Sequence, residues 1–332
     1  MPRGGNHRQE AVTIPHEHDD DTNTPQKPDA GRTPDISELR RKLRKQHSRP
    51  RPVGAQSHVR RTLDAPPPPM SRPRSQQAAR ASAPAESGLP PLTGPAVRLE
   101  SAVNGVEVAG TLGTGYLIKT PISSLSGFEH VSDAFASELA RPDTPVARML
   151  HATAGGEVPV EGIIFMDLET TGLDATPLFL IGTMVWEDGG FVVHQYLARD
   201  YSEERAVIAL FHEQARHKYL LVSFNGRSFD MPYVRTRAAA TGAPFDIRLP
   251  HCDLLIEARR AWSSRLPNCR LQTIETHILG RTRHDDLPGR LIPEAYHEFV
   301  RTGDARRIIQ ILEHNVPDLI TMAEILLHLP GR

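Results

Sequence analysis

Apolar residues form runs of readable period mainly in the second half of the chain. Gly162-Ile-Ile-Phe-Met166 is continuously apolar, as a strand buried on both faces requires. Pro177–Trp186 and Phe191–Leu197 predict two further strands, with Glu187-Asp-Gly-Gly190 as their hairpin turn. Ser202–His217 has helical spacing, with Ser202 at the cap position and Val207, Leu210, Phe211 and Ala215 on the buried side. Tyr219–Phe224 predicts another buried strand, Ser228–Ala240 a helix and Ile247–Leu249 a short strand. Asp253–Trp262 and Leu271–Leu279 predict helices, the second ending near Gly280, and the chain is helical from Pro293 onward. Three antiparallel strands, a helix, a strand and then mainly helices describe an α/β sheet flanked by helices. No internal repeat is visible.

The pattern weakens upstream. Val97–Val103, Gly105–Gly110 and Tyr116–Thr120 predict short strands separated by glycine-bearing turns, a small β subregion ahead of the main domain. Residues 129–160 predict a helix near Val131–Leu139 and then loop. Residues 1–95 hold 16 of the 29 prolines, none of the 18 aromatics and only 21 hydrophobic residues. Such a segment cannot bury enough surface to offset the entropy of ordering it. The expected organisation is a disordered tail at 1–95, a β-containing lead-in at 96–160 and the main domain at 161–330. Within the tail, Asp35-Ile-Ser-Glu38 fits a helix cap, and Ile36, Leu39 and Leu43 share a face among basic residues. That element is either a docking motif or a transiently helical charged patch. Pro66–Pro69 is a stiff spacer.

Charge divides at the same point. The tail carries 16 Lys+Arg against 10 Asp+Glu, or +6; the remainder carries 23 against 30, or −7. A basic tail on an acidic domain suits either a tether to something anionic or mere solvation, and acidic side chains suit nucleic acid when they hold metal ions. Two cysteines, Cys252 and Cys269, are too few for a disulfide framework and fit a reducing compartment. The first ten residues lack the apolar stretch of a signal peptide, and no run approaches the ~18 apolar residues of a membrane span. A cytoplasmic protein is expected.

The chemistry concentrates in three places. Phe165-Met-Asp167-Leu-Glu169-Thr-Thr-Gly172-Leu173 puts two carboxylates two residues apart at the end of a buried strand, hence on one face. Paired anions repel unless a cation lies between them, and a hard divalent metal is the usual solution. Next, Phe224-Asn225-Gly226-Arg227-Ser228-Phe229-Asp230 sets a tight turn at Gly226, a helix cap at Ser228 and a carboxylate in the helix's first turn. Asp230 there is either a site acid or dipole compensation, and Asn225 can be simply a turn former. Last, His314-Asn-Val-Pro-Asp318 places Pro317 in the first turn of a helix at Val316–Leu329, with Asp318 near its start.

These stretches together resemble the DEDD (DnaQ-like) 3′→5′ exonuclease superfamily, of ribonuclease H-like fold. Asp167-x-Glu169-x-Thr-Gly-Leu is similar to its first motif, Asn225-x-x-x-Phe229-Asp230 to its second, and Asp318 with His314 to its third. Asn225-Gly-Arg-Ser-Phe-Asp-Met-Pro232, Asp285-Asp-Leu-Pro-Gly289, Ile292-Pro-Glu-Ala-Tyr296 and His314-Asn-x-x-Asp318 resemble more narrowly the YprB-type ribonuclease H-like branch. The resemblance implies a nuclease with Asp167, Glu169, Asp230 and Asp318 holding two Mg²⁺ or Mn²⁺ ions, acting on DNA or RNA, single-stranded or at a 3′ end. His314 departs from the pattern: the superfamily carries a Tyr with three intervening residues before the last Asp, or a His with four, and here a His has the Tyr spacing. It either accepts the proton of the attacking water or caps a preceding helix at 304–313. The alternative to an exonuclease is an inactive ribonuclease H-like module that binds nucleic acid or protein. A tail-driven adaptor is a third possibility.

Other residues carry less. Asp253 is read as the cap of the helix after it, and Arg227, Arg235 and Arg283 as candidates to meet phosphate. Asp285-Asp286 reads as a turn before Pro288-Gly289 in preference to an approach to the active site, Trp186 and Trp262 as core in preference to base stacking, and the remaining histidines lack zinc spacing.

Overall fold

The structure, a computed structural model, describes residues 88–172, 176–283 and 287–331. The segment at 35–45, Pro66–Pro69, Leu173, Asp285 and Asp286 lie outside the described residues. Seven strands form one mixed sheet: β1 (Gly105–Gly110), β2 (Gly113–Pro121), β3 (Ile163–Thr170), β4 (Leu178–Glu187), β5 (Gly190–Leu197), β6 (Leu220–Ser223) and β7 (His251–Asp253). Their spatial order is β1-β2-β5-β4-β3-β6-β7. Pairing is antiparallel from β1 through β2, β5 and β4 to β3, then parallel from β3 to β6 and β7. The lead-in strands therefore extend the main sheet, because β2 pairs directly with β5.

Nine α-helices lie among the described residues: α1 (Leu99–Ala102), α2 (Val131–Ala140), α3 (Pro145–Ala154), α4 (Glu204–Ala215), α5 (Asp230–Thr241), α6 (Leu254–Trp262), α7 (Leu271–His277), α8 (Ile292–Thr302) and α9 (Arg306–His328). Alternation along β3 sends Ile164, Met166 and Leu168 into one apolar layer, with Val207 and Phe211 of α4 and Tyr296 of α8. Ile163 and Phe165 enter the opposite layer, with Phe135 of α2, Leu150 of α3 and Trp262 of α6. Phe135, Phe165 and Phe191 meet edge to face, with ring centroids 5.1–5.7 Å apart. α9 contributes to both layers, Ile308 and Ile311 to the first and Ile320 and Ile325 to the second.

Several sequence expectations change. The strand expected at Val97–Val103 is the single turn α1, because the backbone of Val97 bonds to Asp304 and Ala305 rather than to a strand. The loop after α2 contains α3, whose Thr144 cap accepts from the Ala147 N–H at 3.2 Å and whose Pro145 opens the helix. α4 is preceded by a 3₁₀ turn, at which Asp200 rather than Ser202 supplies the side-chain cap. The strand expected at Ile247–Leu249 falls at β7, where parallel pairing with Leu221–Ser223 takes up the backbone.

The largest change is at the C-terminus. The expected break before Val316 is absent: α9 runs unbroken for 23 residues with Pro317 inside it. An internal proline costs about 3 kcal/mol through its lost N–H and its clash with the carbonyl four residues back. Burial of apolar residues on both sides of Pro317, including Ile308, Ile311, Leu319, Ile320, Ile325 and Leu326, outweighs that cost.

Candidate functional site

The site builds on the paired carboxyl ends of β3 and β6. Their parallel register ends at Met166 opposite Ser223, so Asp167 and Glu169 continue beyond the last residue of β6. Ligand sites collect at such strand ends in α/β sheets. Asp167 and Glu169 sit on the layer that holds Phe165, and both are partly buried.

The loop after β6 aims Asp230. Asn225 takes the left-handed conformation, φ +70°, so the strained position lies there and not at Gly226. Gly226 is needed for close packing: a Cβ would stand 2.3 Å from Ser223 Oγ and 3.1 Å from Asp230 Oδ2. Asp253 ties the loop down, accepting from the N–H of Asn225 at 2.8 Å and of Arg227 at 3.2 Å. It also accepts from Leu255 N–H at 3.1 Å, which is the cap role expected for it. Ser228 does not cap α5; the helix begins at Asp230 itself, after Phe229. Ser223 Oγ and His251 Nε2 lie 2.6 Å apart beneath this turn. Burial pushes the His251 pKa down to about 4, so the ring is neutral.

α9 supplies the rest. Because the helix is continuous, His314 and Asp318 stand one turn apart on one face, with Nε2 3.3 Å from Asp318 Oδ2. The alternative in which His314 caps a helix ending at 313 is therefore excluded. Its Nδ1 lies 3.3 Å from Arg283 Nη1. Arginine has only protons to give, so Nδ1 accepts and the ring proton sits on Nε2, toward Asp318.

The other three acids act on Asp167. The Asp167 carboxyl is held well above the usual range, first by burial and then by the charges of Asp318, Glu169 and Asp230. Burial pushes Asp230 up to about 7, with a further push from Asp253. Burial raises Asp318 as well, against the opposing pull of Arg283 and His314. β3, α5 and α9 thus bring the other three sequence-predicted acids within electrostatic reach of Asp167, and His314 stands against Asp318.

Arg283 is the unexpected member. Its Nη2 donates to Asp318 Oδ1. Its Nε and Nη2 also engage Glu275 at 2.9 and 2.5 Å. Glu275 is 1 % exposed and accepts a further bond from Thr321 Oγ1 at 2.6 Å. Of the other arginines considered for phosphate, Arg227 reaches the His251 carbonyl, and the guanidinium of Arg235 lies 5.8 Å from the Phe245 ring centre.

Hard carboxylate oxygens that repel one another in a buried setting have the donor chemistry of a divalent-cation site. Yet among the described residues no three His, Cys, Asp or Glu side chains already stand in a metal-holding group. Asp318 is turned to Arg283 and His314, and Asp167 Oδ2 to the side-chain amide of Asn315. The donor set fits such an ion once Asp318 is released from Arg283.

Residues missed as functional are Gly182, Gln195, Asn315 and Glu275. The sequence shows Asn315 inside a motif but gives it no partner; its contacts come from strands 120 or more positions away. Glu275 reads as an ordinary acid in a short helix, and only its burial distinguishes it.

Residues 164–329 match the family RNase_H_2, described as RNase_H superfamily. The protein YprB of Bacillus subtilis (strain 168) is 33% identical over 174 residues, which cover 50% of this chain and 41% of YprB. The chain thus spans less than half the length of that relative. The family B DNA polymerase of the hyperthermophilic archaeon Pyrobaculum calidifontis is similar in structure at a TM-score of 0.40 and 16% identity, over 48% of this chain and 23% of the polymerase.

Proposed function

Since the chain belongs to the RNase_H superfamily, we propose that it is a divalent-metal-dependent nuclease, more narrowly a 3′→5′ exonuclease of the DEDD (DnaQ-like) type acting on phosphodiester bonds of DNA or RNA. The observation that carries this reading is the convergence of buried acids from β3, α5 and α9 at one end of the sheet, each raised first by burial and Asp167 also by the charges of the other three. Asp167, Glu169, Asp230 and Asp318 would hold two Mg²⁺ or Mn²⁺ ions. Such ions supply an activated water nucleophile and neutralise charge on the phosphate and leaving oxygen.

The chain's own residues do the rest. β3 fixes two acids on one strand face, and the loop tied down by Asp253 fixes Asp230. His314 would take the proton of the attacking water on Nδ1 once Arg283 has withdrawn from it, since Nε2 already carries the ring proton. The +6 tail would grip the same polyanion without regard to sequence, or serve a protein partner. Cys252, whose thiol burial pushes up to about 12, and Cys269 are both unpaired, in keeping with a reducing cytoplasm. Among the described residues no helix is long and apolar enough to cross a membrane.

A second reading, an inactive ribonuclease H-like binding module, is favoured by one observation: the ion pair of Arg283 with Asp318. Both readings are tested by incubating the protein with 3′- and 5′-labelled single- and double-stranded DNA and RNA, with Mg²⁺, Mn²⁺ or EDTA. The exonuclease reading expects metal-dependent shortening from the 3′ end, abolished by Asp167→Ala and by Asp230→Ala. Substrate loss as fast in those variants as in wild type would remove the assignment. His314→Ala should lower turnover and leave Mn²⁺ affinity unchanged.

A further inference from the structure

Three facing positions cross the sheet beside the site: Asp167 in β3 opposes Gly182 in β4, and Gly182 opposes Gln195 in β5. Asn315 of α9 occupies the space that Gly182 leaves. A Cβ at 182 would stand 2.2 Å from Asn315 Oδ1 and 2.6 Å from its Nδ2. Asn315 is 0 % exposed, so its amide must be satisfied within the protein. Its Nδ2 donates to Asp167 Oδ2 at 2.9 Å, and its Oδ1 accepts from Gln195 Nε2 at 3.0 Å.

The sense of this chain is fixed at its far end. Gln195 Nε2 also donates to the backbone carbonyl of Leu312 at 2.9 Å. A carbonyl oxygen only accepts, so the Gln195 atom against it is the nitrogen. Gln195 then offers its second N–H to Asn315 Oδ1, which turns the Asn315 amine toward Asp167. The Leu312 carbonyl, one turn before the site on α9, thereby decides that an N–H of Asn315, and not its oxygen, faces Asp167.

We propose that Asn315 is a positioning residue for Asp167: admitted by Gly182 and oriented by Gln195, it holds Oδ2 and leaves Oδ1 as the oxygen offered to a divalent cation. This rests on the metal-binding reading of the acid cluster given above. Outer hydrogen bonds to ligating groups change metal affinity by about 10–100-fold.

The test is Mn²⁺ binding to the full chain, followed by the electron paramagnetic resonance signal of free Mn²⁺. The thermal unfolding midpoint in EDTA is recorded alongside. Asn315→Ala, Gln195→Met and Gly182→Ala should each weaken Mn²⁺ binding by about tenfold or more. Gly182→Ala added to Asn315→Ala should cost little further affinity, since the side chain it displaces is already gone. Affinities of Asn315→Ala and Gly182→Ala within twofold of wild type, with lowered unfolding midpoints, would reduce Asn315 to packing and overturn the proposal. Asp167→Ala separates the two levels. If it abolishes binding while the Asn315 and Gly182 variants bind normally, only the positioning role falls. If wild type does not bind Mn²⁺, or Asp167→Ala binds as well as wild type, the metal reading falls and the proposal with it. Should Asn315→Ala fail to fold, Gln195→Met, which removes only the outer link, must still show the loss.

Discussion

Replacing Arg283 by methionine removes the cation that joins α7 to α9. The guanidinium makes two bonds to Glu275 at 2.5 and 2.9 Å, one to Asp318 Oδ1, and one to the His314 carbonyl at 3.3 Å. Its side chain is 13 % exposed and that of Glu275 1 %, so solvent cannot take over. Removing one partner of a buried pair costs about 3–5 kcal/mol, because the other charge is left without compensation. Arg281 remains 3.7 Å from Glu275, and Thr321 still donates to it, which places the expected loss near the lower end, about 3 kcal/mol. For a domain of this size that is a fall of about 6–12 °C in the unfolding midpoint. The measurement is urea and thermal unfolding in EDTA. Adding Glu275→Gln should recover part of the loss, since the stranded charge is then removed. With Mg²⁺ present, Arg283→Met should gain more in midpoint than wild type gains, because Asp318 Oδ1 is released. A loss below about 1 kcal/mol, or a double variant less stable than the single, would refute the buried-pair argument.

Three further outcomes follow from the same structure. Asp230 has its pKa raised to about 7 when folded, against about 4 for an unfolded aspartate. Both forms are protonated below about pH 4, and the unfolded chain alone ionises between about 4 and 7, so stability in EDTA should fall across that window and level off above it. Asp230→Asn should flatten the fall, measured by urea unfolding from pH 4 to 8, and an unchanged profile would count against the shift. Deleting residues 1–87 should weaken binding to single-stranded nucleic acid and reduce the slope of log K against log salt; an unchanged slope would remove the tail from the interface. Phe135→Ala, which empties the centre of the edge-to-face trio behind β3, should cost about 3–5 kcal/mol in urea unfolding, and a cost below about 1 would show that the site collapses around it.

The sheet was legible because its strands are unusually apolar. Ile163–Met166, Leu178–Val185 and Leu220–Val222 have no helical period that would compete with the strand reading. The acids were legible because short motifs carry them, although Asp318 proves to lie in the middle of α9 and not at a helix start. What stayed hidden depends on distance or on local competition. α3 escaped because its apolar positions, Val146, Ala147, Leu150 and Ala154, follow Pro145 closely and span under three turns. The Pro317 break was expected on local grounds and is overridden by burial at both ends of α9. Gly182 reads as a weak point in a strand, and only the structure shows Asn315 lying against it. Arg283 reads, with Arg227 and Arg235, as a candidate to meet phosphate because nothing nearby in sequence announces the burial of Glu275.

The tether between the two ends of the described chain bears on the order of assembly during synthesis. Arg307 bonds to the carbonyl of Pro90 and Asp304 accepts from the amide of Val97, across separations of 217 and 207 residues. Contacts of such span form late, since the whole intervening loop must close first. A growing chain that has not yet emitted α9 already carries Asp167, Glu169 and Asp230, but it lacks Asp318, His314 and Asn315. It also leaves Ile163 and Phe165 of β3 without the apolar side chains that α9 adds to their layer. The acid cluster is therefore completed in the same event that closes the core, and a ribosome-bound fragment ending before Arg306 has half a site and an open sheet face.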